Sequence, residues 1–346
     1  MDRESLPRKS LMDIINIRKM KNIMFCSCGR RVQLLKFLRE SLGSECQIVG
    51  ADNSPIAPAL YVCDKRYIVP RIDSDGYIDE ILQIAKENNV GAITTLIDPE
   101  ISILAENRQL FLDNGILPLC PADWTARLCF DKYKMYEYLK DKNIPTVLTY
   151  DSLDHFKAGL NNGEIKFPVF IKPRTGSGSV GAQKVVDMEQ LDTLFVENKF
   201  DYIIQELMTC GDCDADVYID CITHKPVAVF SKNKIETKIG GASKTISFKD
   251  DRLFNFVKEI CEVLEFNGTV DMDFWFDGEK YYLSEVNPRF GGAYLHAYGA
   301  GVDFFKLIKN NMEGKANADI IGQYNEDVLM MFYDDVVIVN KKDLAI

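Results

Sequence analysis

Two consecutive predicted strands of this chain carry acidic residues that could hold a divalent metal ion. The strands are predicted at 269–276 and 281–286. If the loop between them has an odd number of residues centred on Glu279, Asp273 lies opposite Glu285 on one face of the hairpin. Cross-strand partners of this kind have their Cβ atoms about 5 Å apart. Two carboxylates at that separation repel each other, which favours a cation between them.

An amide completes this set of oxygen ligands. Asn287 shares a strand face with Glu285, because side chains alternate along a strand. Asp271 shares a face with Asp273 in the same way. Two acids and an amide suit Mg²⁺ that is bound jointly with substrate phosphates. A hairpin with solvated acids is the alternative, and the apolar residues beside the acids weigh against it.

A glycine- and serine-rich segment follows the predicted strand that ends at Lys172. Residues 172–181 read Lys-Pro-Arg-Thr-Gly-Ser-Gly-Ser-Val-Gly. The backbone N–H groups of such a loop can close on phosphate oxygens, while the lysine supplies positive charge. The candidate phosphate contacts in the loop are Gly176, Ser177, Gly178 and Ser179. The pattern G-x-x-x-x-G-K-[ST] does not occur, which excludes a Walker-type NTPase at the motif level. A polar hairpin loop without a ligand is the alternative.

A second group of candidate residues follows the predicted strands near the N-terminus. Arg30 and Arg31 stand at a helix start, where they could meet an anionic substrate; a solvated helix terminus is equally consistent. Asp52 ends the second strand, and Asp98 and Glu100 follow the fourth. Ligands of open parallel sheets collect beyond the carboxyl ends of strands, so these five residues could line one substrate crevice. The last two acids could equally belong to a helix start.

The elements that must position these residues fall into two kinds. In the first third of the chain, short apolar strands alternate with amphipathic helices, and the strands are predicted at 23–26, 47–51, 67–69 and 91–96. This alternation indicates a doubly wound parallel sheet. We assign residues 21–120 to one Rossmann-like domain and residues 1–20 to a loose N-terminal extension.

The rhythm changes after residue 120. Residues 123–143 read as helices and lead to the strand and glycine-rich segment around Lys172. Strands then dominate, and they are predicted at 202–206, 215–221, 227–234, 269–276 and 281–286. One helix, with Leu253, Val257 and Ile260 on one face, interrupts them. Helices segregated from mainly antiparallel strands are typical of an α+β fold.

The composition is that of an ordinary globular protein. The chain has 346 residues, of which 47% are hydrophobic and 27% are charged, and this length predicts two or three domains. The formal net charge of −11 lacks the basic field that nonspecific nucleic-acid binding needs, so we expect no nucleic-acid partner. No apolar run approaches the roughly 20 residues that cross a bilayer, so we expect no membrane partner.

The ten cysteines are spread along the chain. Several lie in apolar segments, which favours small buried side chains in a reducing, cytoplasmic compartment. Residues 1–20 have no continuous apolar core or cleavage site, which disfavours a signal peptide. Cys210 and Cys213 have C-x-x-C spacing, but no second pair follows and the chain has three histidines. We therefore expect a Gly-Asp turn flanked by two thiols rather than a zinc or redox site.

Several ordered motifs together resemble the ATP-grasp superfamily, most closely its single-module proteins that are similar to one half of the carbamoyl phosphate synthase large subunit. The resemblance covers residues 21 to about 315. It rests on Asp131-Lys132 at a helix start, residues 170–173 with the glycine-rich segment, Gln205-Glu206-Leu207, and the set Asp273, Glu285, Asn287 and Arg289. It implies a Rossmann-like domain followed by an ATP-grasp fold of two α+β subdomains, at residues 121–200 and 201–346.

The resemblance implies that ATP lies between those two subdomains. Lys132 and Lys172 would contact the ATP phosphates. A basic strand and loop around residues 232–241 would also lie near the phosphates, and the sequence leaves open whether Lys232, Lys234 or Lys238 points inward.

The resemblance also implies an adenine pocket. Gln205, Glu206 and Leu207 would line it from the strand that joins the two subdomains. The glutamate that usually contacts the ribose is absent, because Cys213-Asp214 occupies that region. Asp214 is our candidate for the ribose contact.

By the same resemblance, Asp273, Glu285 and Asn287 would hold Mg²⁺, with Mn²⁺ as a substitute. Arg289 would meet the transferring phosphoryl group or the acyl phosphate, so Arg289 and Lys172 are the candidate catalytic residues. The resulting hypothesis is an ATP-dependent ligase that joins a small carboxylate to an amine through an acyl phosphate, with a homodimer compatible with this reading.

Two alternatives stay open. The first is an enzyme that forms carboxyphosphate or a carbamate, as the carbamoyl phosphate synthase resemblance suggests, although the chain has one grasp module and no glutaminase or biotin-carrier region. The second is a regulatory subunit that binds ATP without chemistry, which the complete metal set disfavours.

Overall fold

The computed structural model describes residues 21–176, 178, 180–197, 199–238 and 241–344. Two of the candidate phosphate contacts, Ser177 and Ser179, lie outside this described part, as does the N-terminal extension. Within the described ranges, the chain forms three sheets with helices packed against them. No helix in these ranges is both long and apolar enough to cross a membrane.

The first sheet contains β1 (Asn22–Cys26), β2 (Ile48–Asp52), β3 (Lys65–Ile68), β4 (Val90–Thr95) and β5 (Leu117–Pro118). All its strand pairs are parallel, and the order across the sheet is β3-β2-β1-β4-β5. Its helices are α1 (Val32–Leu42), α2 (Tyr77–Glu87), α3 (Asp98–Glu106) and α4 (Arg108–Asp113). The predicted doubly wound parallel sheet is confirmed.

Alternating side chains of β1 explain why this sheet needs helices on both faces. Ile23 and Phe25 join an apolar cluster with the inner face of α1. Met24 and Cys26 join a second cluster with α2 and α3. Because successive side chains of a strand point to opposite faces, a strand that is apolar throughout must be covered on both sides.

The second sheet contains β6 (Thr149–Tyr150), β7 (Val169–Pro173), β8 (Gln183–Val185) and β9 (Tyr202–Glu206), in the antiparallel order β6-β9-β7-β8. Helices α5 (Asp123–Phe130) and α6 (Lys132–Asp141) lead into it, and α7 (Leu153–Asn161) and α8 (Met188–Glu197) lie within it in sequence. Phe156 and Leu191 of the latter two helices share an apolar cluster with Ile171 and Ile204 of the central strands. The predicted division at residue 200 falls before β9, which pairs with β7 in this sheet.

The third sheet contains β10 (Gly211–Ile219), β11 (Pro226–Lys238), β12 (Gly241–Phe248), β13 (Gly268–Phe276), β14 (Tyr281–Asn287) and β15 (Leu329–Met331). The strand order is β14-β13-β10-β11-β12-β15, and every pair is antiparallel. Helices α9 (Asp251–Val263), α10 (Tyr294–Gly299) and α11 (Phe304–Met312) accompany it. The predicted antiparallel α+β region is therefore confirmed.

The hairpin of β13 and β14 places its acids by a route that differs from the prediction. Asp273 pairs with Glu285, as expected. The expected odd-length loop is wrong, because Phe276 pairs with Tyr281 across an even loop. A β-bulge leaves Ser284 unpaired, which adds one residue to β14 and restores the pairing of the two acids.

The predicted turn at the C-x-x-C segment is also wrong. Gly211, Asp212 and Cys213 lie inside β10 and pair with consecutive residues of β13, so the strand predicted at 215–221 begins four residues earlier. All ten cysteines are free thiols. Among the described residues, no group of three or more His, Cys, Asp or Glu side chains is arranged to hold a metal ion.

Candidate active site

A solvent-open cleft is lined by residues of α3, α5, the start of α6, the glycine-rich loop and β14. One side is formed by Lys132 at the start of α6 and by Gly176 of the glycine-rich loop. Glu285 and Asn287 of β14 form the opposite side, and Asp98 at the start of α3 closes one end. The fold therefore brings candidate residues from all three regions of the chain to one place.

Two lysines of the second region face the acids of the third. Lys172 lies near the end of β7, and its Nζ is 3.5 Å from Glu285 Oε2. Lys132 donates a hydrogen bond from Nζ to the carbonyl oxygen of Gly176 (2.6 Å). Burial lowers the pKa of Lys132, and the neighbouring Lys172 lowers it further against the opposing effect of Glu285. Burial and the neighbouring lysine therefore destabilise positive charge at Lys132, which an anionic ligand such as a phosphate would offset.

An ion pair fixes the base of the glycine-rich loop to α6. Asp131 accepts hydrogen bonds from Arg174 Nε and Nη2, each 2.8 Å long. The same carboxylate caps α6 by accepting the Lys134 backbone N–H (3.1 Å). The backbone N–H of Lys132 donates to the Arg174 carbonyl oxygen (3.0 Å). We name this set of contacts the loop clamp, because it holds Lys132 and the loop in one arrangement.

The glycines of the loop have backbone conformations that other residues rarely adopt. Gly176 has φ +99° and Gly178 has φ +74°, and these positive values favour glycine. The backbone path alone therefore accounts for glycine at these two positions, whether or not they contact phosphate as predicted.

The proposed metal ligands meet where the interior of β13 pairs with the C-terminal part of β14. Asp273 lies opposite Glu285, and Asn287 Nδ2 lies 3.5 Å from Asp273 Oδ2. Two carboxylates and an amide have the donor chemistry that Mg²⁺ prefers, but they are too few to complete its shell. The residues fit a metal ion that takes its remaining ligands from phosphate oxygens and water.

Lys234 of β11 enters an acidic cluster beside these ligands. Its Nζ lies 2.8 Å from Asp212 Oδ1, 2.7 Å from Asp214 Oδ1 and 2.6 Å from Asp273 Oδ1. Burial alone would raise the pKa of Asp273, but the Lys234 ammonium lowers it to about 2. The same three carboxylates raise the pKa of Lys234 far above its ordinary value despite burial. Burial and the neighbouring Asp273 raise the pKa of Asp214 well above its ordinary value, and burial also raises the pKa of Asp212, although Lys234 opposes both shifts.

The three candidate lysines of the basic strand β11 differ in burial and in their partners. Lys232 is fully buried and pairs with Asp216 (2.6 Å), and Lys234 belongs to the acidic cluster. Lys238 is exposed. Asp214, the candidate ribose contact, is 5% exposed and lies between Lys232 and Lys234. Its carboxylate therefore contacts these lysines inside the protein.

Arg289 links the third sheet to the first. Its guanidinium forms a bidentate pair with Asp98, with Nε to Oδ1 at 2.7 Å and Nη2 to Oδ2 at 3.1 Å. Its Nη1 lies 3.9 Å from Asp271 Oδ2. Burial and the neighbouring Asp273 raise the pKa of Asp271 to about 7. Arg289 is thus held beside the cleft by Asp98, an acid of the N-terminal region that lines it.

Arg31 reaches the same junction from the start of α1. Its Nη2 donates to the carbonyl oxygen of Gly291 (2.5 Å). A β-carbon at position 291 would lie 2.5 Å from Asp216 Oδ1 and 2.8 Å from Asp271 Oδ1, so any other residue there would displace these carboxylates. Burial and the nearby Arg289 lower the pKa of Arg31 to about 10. An anion between the two arginines would relieve this repulsion.

The expected crevice of five N-terminal residues is not formed as predicted. Asp98 lines the cleft and Arg31 reaches the Gly291 carbonyl, whereas Arg30 is exposed. Asp52 accepts hydrogen bonds from the backbone N–H groups of Gly29 and Ser54, so it supports the loop after β1. Glu100 has no solvent exposure, and its carboxylate accepts hydrogen bonds from Tyr77 and Thr95. The last two acids are internal polar partners rather than crevice residues.

The predicted adenine segment lies at the end of β9. Gln205 is buried, and its Nε2 donates to Thr149 Oγ1 of β6 (2.8 Å). Glu206 is exposed and Leu207 is half-buried directly after it. Glu206 and Leu207 therefore lie where the chain leaves β9 of the second sheet and leads to β10 of the third sheet.

Sequence reasoning missed several residues of this site. Asp212 and Asp216 alternate with the predicted Asp214 along β10 and so share its face, a signal that was hidden when Asp212 was assigned to a turn. Arg174 could have been paired with Asp131 only through the fold, since 43 positions separate them. Gly291 gives no local signal of its contact with two carboxylates.

Two protein-family models match separate parts of this chain. A family described as ATP-grasp domain matches residues 129–293. A family described as PylC-like, N-terminal domain matches residues 23–119. The two matches correspond to the region of the second and third sheets and to the first sheet, respectively.

Curated relatives include three kinds of protein. Formate-dependent phosphoribosylglycinamide formyltransferase of Psychromonas ingrahamii is 24% identical over 70% of this chain and 62% of its own length. The carbamoyl phosphate synthase large chain of Clostridium acetobutylicum is 22% identical over 69% of this chain and 24% of its own. D-alanine–D-alanine ligase B of Clostridium perfringens is 28% identical over 73% of this chain and 92% of its own. The chain thus spans less than two thirds of the first two relatives.

Solved structures share the fold at low sequence identity. The biotin carboxylase domain of Hydrogenobacter thermophilus 2-oxoglutarate carboxylase, solved as a dimer with MgADP, ADP and bicarbonate, has a TM-score of 0.70 at 18% identity, covering 90% of this chain and 74% of that one. N5-carboxyaminoimidazole synthetase from Staphylococcus aureus with ADP also has a TM-score of 0.70 at 18% identity, covering 88% and 81%. The solved structures show the fold, and the family matches identify an ATP-grasp domain at residues 129–293 after a PylC-like N-terminal domain at residues 23–119.

Proposed function

We propose that this protein is an ATP-dependent ligase that phosphorylates a small carboxylate and joins the resulting acyl phosphate to an amine. The observation that carries the proposal is the meeting of Lys132 and Lys172 with Glu285 and Asn287 across one cleft. A lysine pair that faces carboxylate and amide oxygens suits a metal-bound polyphosphate, because each side neutralises part of its charge.

Each side of the cleft has its own part in binding ATP. Lys132 and Lys172 bind phosphate oxygens, and Lys132 exchanges its hydrogen bond with the Gly176 carbonyl for one with the nucleotide. Gln205, Glu206 and Leu207 contact the base beside the crossing between sheets. Mg²⁺, or Mn²⁺ in its place, would be held by Asp273, Glu285 and Asn287 and would offset charge on the phosphates.

Arg289 is the proposed electrostatic catalyst. Its guanidinium is held by Asp98 on one side, while Nη1 donates to the Phe290 carbonyl oxygen (3.1 Å) and lies 3.9 Å from Asp271 Oδ2. A preorganised cation stabilises negative charge that develops during phosphoryl transfer and again when the amine attacks the acyl phosphate. Arg31 lies beside it and is proposed to orient the acidic substrate.

The proposal is tested by ADP formation with panels of small carboxylates, alone and with amines. ADP release that requires a carboxylate and rises with an amine supports the ligase. Arg289→Met should remove this activity, whereas Arg252→Met serves as a matched control, since Arg252 is exposed and pairs with Asp250. Release stimulated by bicarbonate alone would instead indicate carboxyphosphate formation. ATP binding without any ADP release would indicate a regulatory nucleotide-binding protein.

A further inference from the structure

Lys234 holds a position where three carboxylates would otherwise repel one another. Asp212 and Asp214 are on β10 and Asp273 is opposite Asp214 on β13. The Nζ of Lys234 lies 2.6 to 2.8 Å from one oxygen of each. Its side chain is 13% exposed, so water screens these charges only partly. Removing one partner from such a buried network leaves uncompensated charge, which is strongly unfavourable.

No second ammonium can replace it in this arrangement. Lys232, the other inward lysine of β11, contacts Asp216 at 2.6 Å and lies 3.8 Å from Asp214. Its ammonium is therefore paired with Asp216, the next acid along the same face of β10. Among the described residues, Lys234 is the one cation that pairs with all three acids.

The Lys234 contact also divides the two oxygens of Asp273 between different tasks. Oδ1 accepts a hydrogen bond from Lys234 at 2.6 Å. Oδ2 faces Asn287, whose Nδ2 is 3.5 Å away. A carboxylate fixed through one oxygen has a defined orientation of the other, so the contact turns Oδ2 toward the remaining proposed metal ligands.

We propose that Lys234 is a positioning residue that acts as the resident cation of this acidic cluster and thereby makes metal binding depend on the nucleotide. It fills the cluster with its own charge and leaves one oxygen of Asp273, together with Glu285 and Asn287, for a divalent ion. These ligands are too few to hold the ion alone, so the ion enters with the phosphates of ATP. The inference rests on the proposed function, since it takes Asp273 as a metal ligand.

The test measures Mn²⁺ binding to the full chain without nucleotide, by the loss of the free-ion signal in electron paramagnetic resonance. Lys234→Met removes the ammonium that contacts Asp212, Asp214 and Asp273 and leaves their oxygens open to the ion, and we expect its Mn²⁺ affinity to be at least tenfold tighter than that of the unmodified protein. Lys234→Arg keeps the charge and should not show the gain. Lys238→Met is the matched control, because Lys238 is on the same strand and exposed; its affinity should also be unchanged.

The inference is overturned if Lys234→Met folds and binds Mn²⁺ no more tightly, or if the unmodified protein binds free Mn²⁺ as tightly as the variant does. If Lys234→Met does not fold, the same comparison is made between Asp214→Asn and the double variant Lys234→Met with Asp214→Asn, which has the net charge of the unmodified protein. A tighter site must then appear in the double variant; equal affinities contradict the inference. ATP binding and ADP release by the unmodified protein are measured separately, so failure of the proposed function is seen there and not in the Mn²⁺ comparison.

Discussion

Asp131→Ala should lower both the stability of the protein and its affinity for ATP. The carboxylate caps α6 through the Lys134 N–H, and loss of such a cap costs about 1 kcal/mol. It also pairs with Arg174 through two hydrogen bonds of 2.8 Å. The Asp131 and Arg174 side chains are 14% and 26% exposed, so the pair contributes about 1 kcal/mol, the upper end for accessible ion pairs. We expect a total loss of about 2 kcal/mol in the free energy of unfolding.

The loss of ATP affinity follows from the loop clamp. Lys132 is held to the loop through its backbone contact with Arg174 and its side-chain contact with Gly176, so releasing the clamp removes the preorganised position of a phosphate contact. Urea unfolding gives the stability, and calorimetric titration gives the ATP affinity, which we expect to fall at least severalfold.

Two variants separate the cap from the clamp. Asp131→Asn retains a capping oxygen but loses the charged pair, so about 1 kcal/mol of stability should be lost while the ATP defect remains. Ser152→Ala removes the cap of α7, in which the serine oxygen accepts the His155 N–H (3.3 Å). It should cost about 1 kcal/mol without affecting ATP. The reasoning is refuted if Asp131→Ala binds ATP normally, or if Ser152→Ala weakens ATP binding to the same degree.

Three further outcomes follow from the site and from a buried histidine. Lys172→Ala should weaken ATP binding in calorimetry, because it removes a buried charge 3.5 Å from Glu285; unchanged affinity would leave Lys172 without a nucleotide role. Glu285→Gln should abolish ADP formation while circular dichroism shows an intact fold, and undiminished turnover would contradict the metal assignment. Burial lowers the pKa of His296 to about 4, below the ordinary value of about 6.5, so its neutral form stabilises the fold and this contribution is lost as pH falls from about 6.5 toward 4. His296→Gln should therefore have a shallower decline of unfolding free energy over that range, by up to about 1.4 kcal/mol per pH unit, and an equal decline in both proteins would exclude His296 as the cause.

The sequence predicted the site best where its chemistry is local in the chain. The Asp273 and Glu285 pair could be proposed because alternation and pairing are regular properties of strands. The correct pairing nevertheless depended on the bulge at Ser284, which follows from tertiary packing and has no marker in the local residue pattern. The prediction assumed an odd loop and no bulge. Because these two errors shift the strand pairing by one residue in opposite directions, Asp273 still pairs with Glu285.

Contacts between distant elements were beyond sequence reasoning. The pairing of Arg289 with Asp98 spans 191 positions, and the contact between Arg31 and Gly291 spans 260. Strand order predicted that Glu100 would face a crevice, but its carboxylate turns inward to Tyr77 and Thr95. The fate of an acid at a helix start depends on which polar partners the neighbouring elements supply, and periodicity does not reveal them.

The most direct test of the proposed ligase follows oxygen from substrate to product. A carboxylate that stimulates ADP release is labelled with oxygen-18 and incubated with the protein, ATP and Mg²⁺ together with its amine. Attack of the carboxylate on the γ-phosphorus forms an acyl phosphate, and the amine then expels phosphate that keeps one carboxylate oxygen. Mass spectrometry should therefore find one oxygen-18 atom in the released inorganic phosphate for each amide formed. Amide formation with unlabelled phosphate would contradict an acyl phosphate intermediate and with it the mechanism proposed for this cleft.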